Sequence, residues 1–159
     1  MKDRSTKTYD HARGLTCAFR QWKAESHCHL LHGYSLGITF TFEADELDHC
    51  GWVVDFGGLK SLFGMLEDTF DHTLLVADDD PGIQWFKALA VAGMAKVVFV
   101  EGTGCEAFAK LIFETTKQWM RDAGFSPRAQ LYSVGSSLGS SDWKYPSRVS
   151  SGWHGPDAC

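Results

Sequence analysis

The clearest pattern in this chain is the stretch YSLGITFTFEA at residues 34–44. Aromatic and aliphatic side chains at positions 34, 36, 38, 40 and 42 alternate with small or polar ones between them. Because successive side chains of a strand point to opposite faces, this pattern predicts a strand with one buried and one polar face. His32 has the same parity as Tyr34, so both side chains are expected on one face. The stretch therefore predicts an antiparallel sheet that is covered on one side.

Weaker patterns on both sides of this strand predict the remaining elements. Strands are predicted at residues 16–24, 52–54, 96–100 and 129–134. Helices are predicted at 56–70 behind the capping residue Asp55, from Asp80-Pro81 to Gly93, and to about Ala123 from Thr103-Gly104-Cys105-Glu106, which has the form of a capping box. The order of these elements indicates an α+β fold with helices packed on one face of the sheet.

Length and composition are those of a globular protein with one domain. The chain has 159 residues, a formal net charge of −5 and 44% apolar residues. This charge does not predict nucleic-acid binding, and no apolar run is long enough to span a membrane. Five scattered cysteines without a CxxC pair argue against a disulfide framework and fit a reducing cytoplasm. Residues 1–14 are expected to form a flexible segment, 15–134 the domain, and 135–159 a tail rich in serine and glycine.

A cluster of titratable side chains stands directly before the strand. His27, Cys28, His29 and His32 fall within six residues. This density of imidazole and thiol groups predicts a metal site or a nucleophile site. The alternative is that Cys28 is only a small buried hydrophobic residue.

Three motifs, in this order, resemble the family of 6-pyruvoyl-tetrahydropterin synthase and 6-carboxytetrahydropterin synthase. They are Cys28-x-x-Leu31-His32-Gly33, then Val54-Asp55-Phe56-Gly57-Gly58-Leu59-Lys60, then Phe70-Asp71-His72. The resemblance covers about residues 19–134 and implies the tunnelling fold (T-fold). In that fold a four-stranded antiparallel sheet with helices on one face becomes part of an oligomeric barrel. A trimer or hexamer with a pterin-like substrate between its subunits is the implied assembly.

The resemblance also implies roles for single residues. Cys28 would be the base that acts on the substrate side chain, His72 would transfer the second proton, and Asp71 would orient His72. Since adjacent residues rarely bond side chain to side chain, Asp71 is expected to act through a partner chain. The alternative for His72 is that it only ends a helix, where a cation is favourable. Glu106 aligns with a glutamate near the pterin pocket, although it also suits the third position of the capping box.

Zinc held by three histidines is the cofactor that the resemblance implies. This chain retains His32 but has Lys23 and Tyr34 at the other two ligand positions, and Ser133 or Ser136 stands near the position of a pterin-anchoring glutamate. One histidine cannot hold a three-histidine site, and a protonated lysine cannot bind zinc.

Three explanations of these changes remain open. His27 and His29 could join His32 in a rebuilt metal site. The Lys23 ammonium could instead take the place of the metal in the substrate pocket beside Tyr34, where it would also favour the Cys28 thiolate. Lys23 could also merely extend from a sheet face towards water.

The leading functional hypothesis is a lyase that acts on the side chain of a dihydropterin such as 7,8-dihydroneopterin triphosphate. Its product would serve pterin or queuosine and other deazapurine biosynthesis. A second hypothesis is a T-fold protein that binds a pterin or purine without turnover. A third treats Cys28, His72 and Asp71 as the triad of a hydrolase. The protein is expected to be a cytoplasmic homo-oligomer with no nucleic-acid or membrane partner.

Overall fold

The computed structural model describes residues 1–13, 15–124, 128–138 and 141–146. The described strands are β1 (Asp3–Tyr9), β2 (Leu15–Phe19), β3 (His32–Ala44), β4 (Thr73–Ala77), β5 (Lys96–Val100), β6 (Ala129–Leu138) and β7 (Ser141–Pro146). The α-helices are α1 (Lys60–Phe70), α2 (Ile83–Val91) and α3 (Cys105–Asp122). Short 3₁₀ turns occupy His11–Arg13, His27–His29 and Phe56–Leu59. The α+β prediction is confirmed.

Strand β3 is the centre of the sheet. One of its edges pairs antiparallel with β6, and β1 and β2 share the other edge. Strand β7 extends the sheet antiparallel beyond β6, whereas β4 and β5 extend it in parallel beyond β2. The prediction of a four-stranded antiparallel sheet is therefore wrong, because the described sheet has seven strands and is mixed.

Three strands lie where the sequence predicts none. Strand β4 is buried at every position, so it lacks the alternation that marks a half-exposed strand. Strand β1 lies in the segment that the sequence predicts to be flexible. Its largely exposed polar side chains give no apolar signal, yet its backbone pairs with β3 along its whole length. Strand β7 lies in the predicted serine-rich tail, of which residues 147–159 are outside the described part.

Several strands and helices begin or end at other residues than the sequence predicts. Strand β2 ends at Phe19 rather than at residue 24, because Arg20 turns towards Asp80 and binds it. Helix α2 begins at Ile83, two residues after the predicted proline start. Residues 52–54 form a bend instead of a strand. The predicted Asp55 cap is confirmed, since its carboxylate accepts a hydrogen bond from the Gly57 N–H at 2.7 Å.

Helices α1 and α3 pack on the sheet through an aromatic core. Phe108 of α3 is fully buried, and its ring meets Phe19 of β2 edge-on at 5.0 Å and Phe70 of α1 at 5.5 Å. Such edge-to-face pairs add to the stabilisation that burial of apolar area provides. This core fixes the position of β2, from which the candidate site extends. Within the described ranges, no helix has the length and apolarity needed to cross a membrane.

Candidate active site

An open groove of about 550 Å³ lies where β2, β3, β4 and β5 run side by side. Its walls include Thr16 of β2, Tyr34 of β3, Lys96 of β5, and His72, which directly precedes β4. Two of the predicted site residues, Tyr34 and His72, therefore share one cavity. The predicted orientation of Tyr34 is also confirmed, because its ring contacts the His32 ring at a centroid distance of 4.9 Å.

His72 is bonded to its neighbour Asp71. The His72 backbone lies in the left-handed region, with φ of 51°, which is uncommon for a residue that carries a side chain. With this backbone, His72 Nδ1 lies 2.9 Å from Asp71 Oδ2. The expectation that these adjacent side chains do not bond to each other is thus wrong, whereas action of Asp71 through a partner chain stays a prediction. The left-handed turn lets two adjacent side chains reach each other.

The Asp71 carboxylate is held on its other side by β2. Thr16 donates to Asp71 Oδ1 from its backbone N–H at 3.1 Å and from its hydroxyl at 3.3 Å. Hydrogen bonding from His72, and then from Thr16, holds the pKa of Asp71 below its ordinary value, although desolvation opposes this. Asp71 is therefore a fixed anion that orients the neighbouring imidazole.

This arrangement leaves one nitrogen of His72 available for chemistry. A carboxylate accepts hydrogen bonds, so Nδ1 carries the proton in the pair, and in the neutral form of the ring Nε2 is an acceptor. The His72 side chain is 84% exposed, and it lines the groove. An imidazole held in this way can take up a proton at Nε2 and return it, as general acid–base catalysis requires.

Cys28 lies in a separate cluster beyond the other end of β2. It is buried in the turn His27–His29, where its N–H donates to Ser26 Oγ at 3.4 Å and its carbonyl accepts from the Gln21 N–H at 2.8 Å. The structure places its sulfur in a disulfide. Only a thiolate can accept a proton, so the predicted role of Cys28 as base belongs to the reduced protein.

A single chain does not bring Cys28 and His72 together. Through Asp71, His72 is fixed to Thr16 near the start of β2, whereas Cys28 is fixed to Gln21 beyond its end. Along the extended strand, Thr16 lies three residues and roughly 10 Å from Phe19, the last residue of β2. Among the described residues, Cys28 is not part of the groove lining. The contacts of the described residues therefore hold these two side chains in separate parts of one chain.

The residues after β2 are tied to an acidic loop between β4 and α2. Arg20 makes a bidentate pair with Asp80, with Nε–Oδ2 and Nη2–Oδ1 distances of 2.8 and 2.6 Å. The Trp22 indole and the Lys23 ammonium donate to the two oxygens of Asp79 at 3.0 and 2.5 Å. The sequence marks the acidic run only as a helix start, and nothing in it pairs these aspartates with the end of β2.

The same segment also contacts the start of α3. The Thr103 hydroxyl donates to the Arg20 carbonyl at 2.7 Å, and the Gln21 amide donates to the Thr103 carbonyl at 3.4 Å. Thr103 therefore does not cap α3, and the predicted capping box is wrong. Gly104 precedes the helix with φ of 107°, and a Cβ there would lie 2.5 Å from the Gln21 amide nitrogen. Glu106, half-buried in the first turn, follows this close approach.

Replacing Asp80 with asparagine is expected to destabilise the protein, most strongly at neutral pH. The side chain of Asp80 is 1% exposed and that of Arg20 is 27% exposed. Removing the Asp80 charge therefore leaves the partly buried Arg20 guanidinium without a counter-charge. The expected loss is on the order of 3 kcal/mol of unfolding free energy at pH 7. Hydrogen bonding from Arg20 lowers the pKa of Asp80, so its contribution is present above its unfolded-state pKa of about 4 and fades below it.

Urea unfolding of the wild type and the D80N variant at pH 7, 5 and 3 measures this difference. The gap between the two proteins should shrink at pH 3, which lies below the ordinary pKa of the carboxyl, because protonation then favours the unfolded wild type. Asp68→Asn on the exposed side of α1 is the matched control and should change stability little. A gap that is as large at pH 3 as at pH 7 would contradict the assigned ion pair.

The three zinc-ligand positions implied by the resemblance do not fit a zinc ion. The Lys23 side chain is 67% exposed and its ammonium is bonded to Asp79. Tyr34 is half-buried beside the rings of Phe19 and His32. His32 is thus the one histidine among the three, and its Nδ1 lies 2.6 Å from the Leu30 carbonyl. Lys23 is not among the described residues that line the groove, and its ammonium is paired with Asp79.

The rebuilt site of His27, His29 and His32 does not form in the described chain either. His29 Nδ1 is engaged with the Ser26 carbonyl at 2.6 Å. Among the described residues, only Asp48, His49 and Cys50 offer three donor atoms within 4.8 Å of one another. Asp48 there already accepts hydrogen bonds from two backbone N–H groups, those of Cys50 and Trp52.

The two serines near the position of the pterin-anchoring glutamate are both buried. The Ser136 hydroxyl donates to the Cys105 carbonyl at 2.6 Å. The Ser133 hydroxyl has no hydrogen-bond partner among the described residues. Neither serine lines the groove that contains His72.

The chain is similar in sequence to pterin synthases. A family model described as 6-pyruvoyl tetrahydropterin synthase matches residues 9–135. The 6-carboxy-5,6,7,8-tetrahydropterin synthase of Aquifex aeolicus is 28% identical over 123 residues, which cover 76% of this chain and 76% of that protein. The enzyme of the same name from Rickettsia bellii is 37% identical over 60 residues, or 37% of this chain. The match spans 44% of the length of the Rickettsia protein.

Solved structures share the fold. An uncharacterized protein from Wolinella succinogenes has a TM-score of 0.75 and 18% identity, covering 93% of this chain and 99% of its own. A variant of 6-pyruvoyltetrahydropterin synthase from Plasmodium vivax has a TM-score of 0.67 and 12% identity, covering 91% and 97%. At these identities the likeness concerns the fold alone, and it agrees with the predicted T-fold. The family model spans most of the chain, including the His27–His29 turn and the Asp71–His72 pair, and the chain therefore belongs to the 6-pyruvoyl tetrahydropterin synthase family.

Proposed function

We propose that this protein is a lyase that acts on the side chain of a dihydropterin, with 7,8-dihydroneopterin triphosphate as the reference substrate. The observation that carries the proposal is the bonded Asp71–His72 pair on an open groove, in a member of a family named for pterin synthases. An oriented imidazole beside a cavity is what a side-chain proton transfer requires. The product would enter pterin, queuosine or other deazapurine biosynthesis.

In this proposal the proton transfers are divided between two side chains. The thiolate of Cys28, in the reduced protein, removes a proton from the side-chain carbon next to the one that carries the triphosphate. The electron pair of that C–H bond forms a C=C bond and expels the triphosphate with the electrons of its C–O bond. His72 exchanges a second proton with a side-chain oxygen through Nε2, and Asp71 stabilises the imidazolium that forms. No step is assigned to zinc, because Lys23 and Tyr34 do not complete a site with His32.

We further propose that the complete site lies between copies of the chain. Cys28 and His72 sit at opposite ends of β2, so one copy would supply the thiolate and another the imidazole. Within the described residues, β1, β5 and β7 each have one edge with no neighbouring strand. Such edges are suited to pairing between chains, as the closed barrel of a trimer or hexamer requires.

A turnover assay with variants tests this function. The protein is incubated with 7,8-dihydroneopterin triphosphate and a thiol reductant, and the pterins are separated by chromatography. The wild type is expected to alter the side chain, and Cys28→Ala to lower the rate by about 100-fold or more. Cys50→Ala, which removes an exposed cysteine of another loop, is the matched control and should keep full activity.

Other outcomes of this assay contradict the lyase. If the pterin protects Cys28 from alkylation but no product forms, the protein binds its ligand without turnover. If a covalent adduct accumulates on Cys28, the thiol is a nucleophile and the triad is that of a hydrolase.

A further inference from the structure

The groove carries a positive charge next to His72. Lys96 is the first residue of β5, and it pairs in register with Thr73, the residue that follows His72. Lys96 and His72 therefore both line the groove, at neighbouring strand ends. Among the described lining residues, Lys96 is the one lysine or arginine, and none is an aspartate or glutamate. Lys96 thus gives the lining its positive charge, beside the Asp71 carboxylate that His72 and Thr16 hold.

Lys96 has no carboxylate partner within 4.0 Å among the described residues. Its ammonium makes one long contact, 3.5 Å, with the backbone carbonyl of Asp71. The carboxylate of Asp71 is engaged by His72 and Thr16 instead. Other lysines, such as Lys23 and Lys110, are paired with acidic side chains. Lys96 is exposed and can therefore bind an anion that enters the groove.

We infer that Lys96 is a specificity-determining residue that binds an anionic group of the substrate, a phosphate or carboxylate, and so places the substrate beside His72. The identity of the reacting group rests on the proposed function, whereas the anion site can be tested separately. The long, flexible stem of lysine lets one ammonium follow a charged group as it moves. Gly33 and Ala18 are small lining residues that leave room, and Met94 offers an apolar contact for a ring.

A binding experiment with paired ligands and paired variants tests this inference. Calorimetry measures the Kd of 7,8-dihydroneopterin triphosphate and of 7,8-dihydroneopterin, which lacks the phosphates. Lys96→Met is expected to raise the Kd of the triphosphate by about tenfold or more, because a charged hydrogen bond is lost. The Kd of the uncharged ligand should change by less than about twofold. Lys96→Arg should retain most of the affinity.

Lys87→Met is the matched control. Lys87 is an exposed residue of α2 near Phe99, outside the groove lining, so this variant removes the same charge from the same region of the protein. It should leave the Kd of both ligands unchanged. Inorganic tripolyphosphate is the probe for the anion alone. Tripolyphosphate should compete with the pterin triphosphate for binding to the wild type. It should not compete for binding to Lys96→Met.

The outcomes separate the anion site from the lyase. The inference is overturned if a folded Lys96→Met protein shows the same rise in Kd for both ligands, or no rise for either. The inference is also overturned if tripolyphosphate binds as tightly as the pterin triphosphate, because the site would then bind a free anion and the pterin would contribute nothing. If Lys96 discriminates between the ligands but no product forms, the anion site stands and the lyase fails. If product forms with an unchanged KM in Lys96→Met, the lyase stands and the anion site fails.

Discussion

Replacing His72 with asparagine is expected to lower kcat/KM for 7,8-dihydroneopterin triphosphate by about 10²- to 10⁴-fold, the usual contribution of a general acid–base group. The variant removes the imidazole that Asp71 orients, while the groove around it keeps its other walls. Steady-state kinetics with the reduced protein measures the effect. Binding of the substrate should change much less than turnover, because the imidazole is needed for proton transfer.

Asparagine is the appropriate replacement because of the backbone at this position. The φ of His72 is 51°, and asparagine tolerates the left-handed region better than most residues with a side chain. Loss of activity can then be attributed to the missing ring instead of a refolded turn. His49→Asn, which changes an exposed histidine of another loop, is the control and should keep the wild-type rate. A folded H72N enzyme within about threefold of the wild type would exclude His72 from the proton transfer.

Replacing Phe108 with alanine is expected to lower the free energy of unfolding by about 4 kcal/mol, the usual cost of a large aromatic cavity. Phe108 is fully buried and touches Phe19 and Phe70, so it joins α3 to both β2 and α1. The transition in urea or guanidinium, followed by circular dichroism, measures the loss. Phe99→Ala on β5 is the control, because that side chain is partly exposed and should cost far less.

The site explains why this core position matters for function as well. Strand β2 carries Thr16, which holds Asp71, at one end and leads to Gln21, which holds the Cys28 turn, at the other. Phe108 packs on Phe19 between these ends. A folded Phe108→Ala protein should therefore lose activity at temperatures below its Tm. A loss of less than about 1 kcal/mol in stability would contradict the role of Phe108 as the centre of the core.

Several parts of the protein follow from local sequence. The alternation at 34–44 predicts β3, because a strand with one buried face has an apolar side chain at every second residue. The apolar spacing of α1 and α3 predicts those helices, because each buries one stripe against the sheet. The motifs around Cys28 and Asp71-His72 point to the family that the comparisons show. These features are visible in the sequence because each depends on residues close together in the chain.

The rest was decided by the tertiary structure. The direct bond between Asp71 and His72 depends on a left-handed backbone, and the pairing of Arg20 with Asp80 joins residues 60 positions apart. Lys96 reaches the groove because β5 lies parallel to β4, which no local pattern specifies. Strands β1 and β4 were missed for a related reason: one is polar and the other wholly apolar, so their identity comes from the strand beside them. The sequence by itself determined the helices and strands that have their own apolar periodicity. The pairing of distant segments decided which residues line the groove. The physical reason is that the hydrogen bonds and ion pairs there connect parts of the chain that only folding brings together.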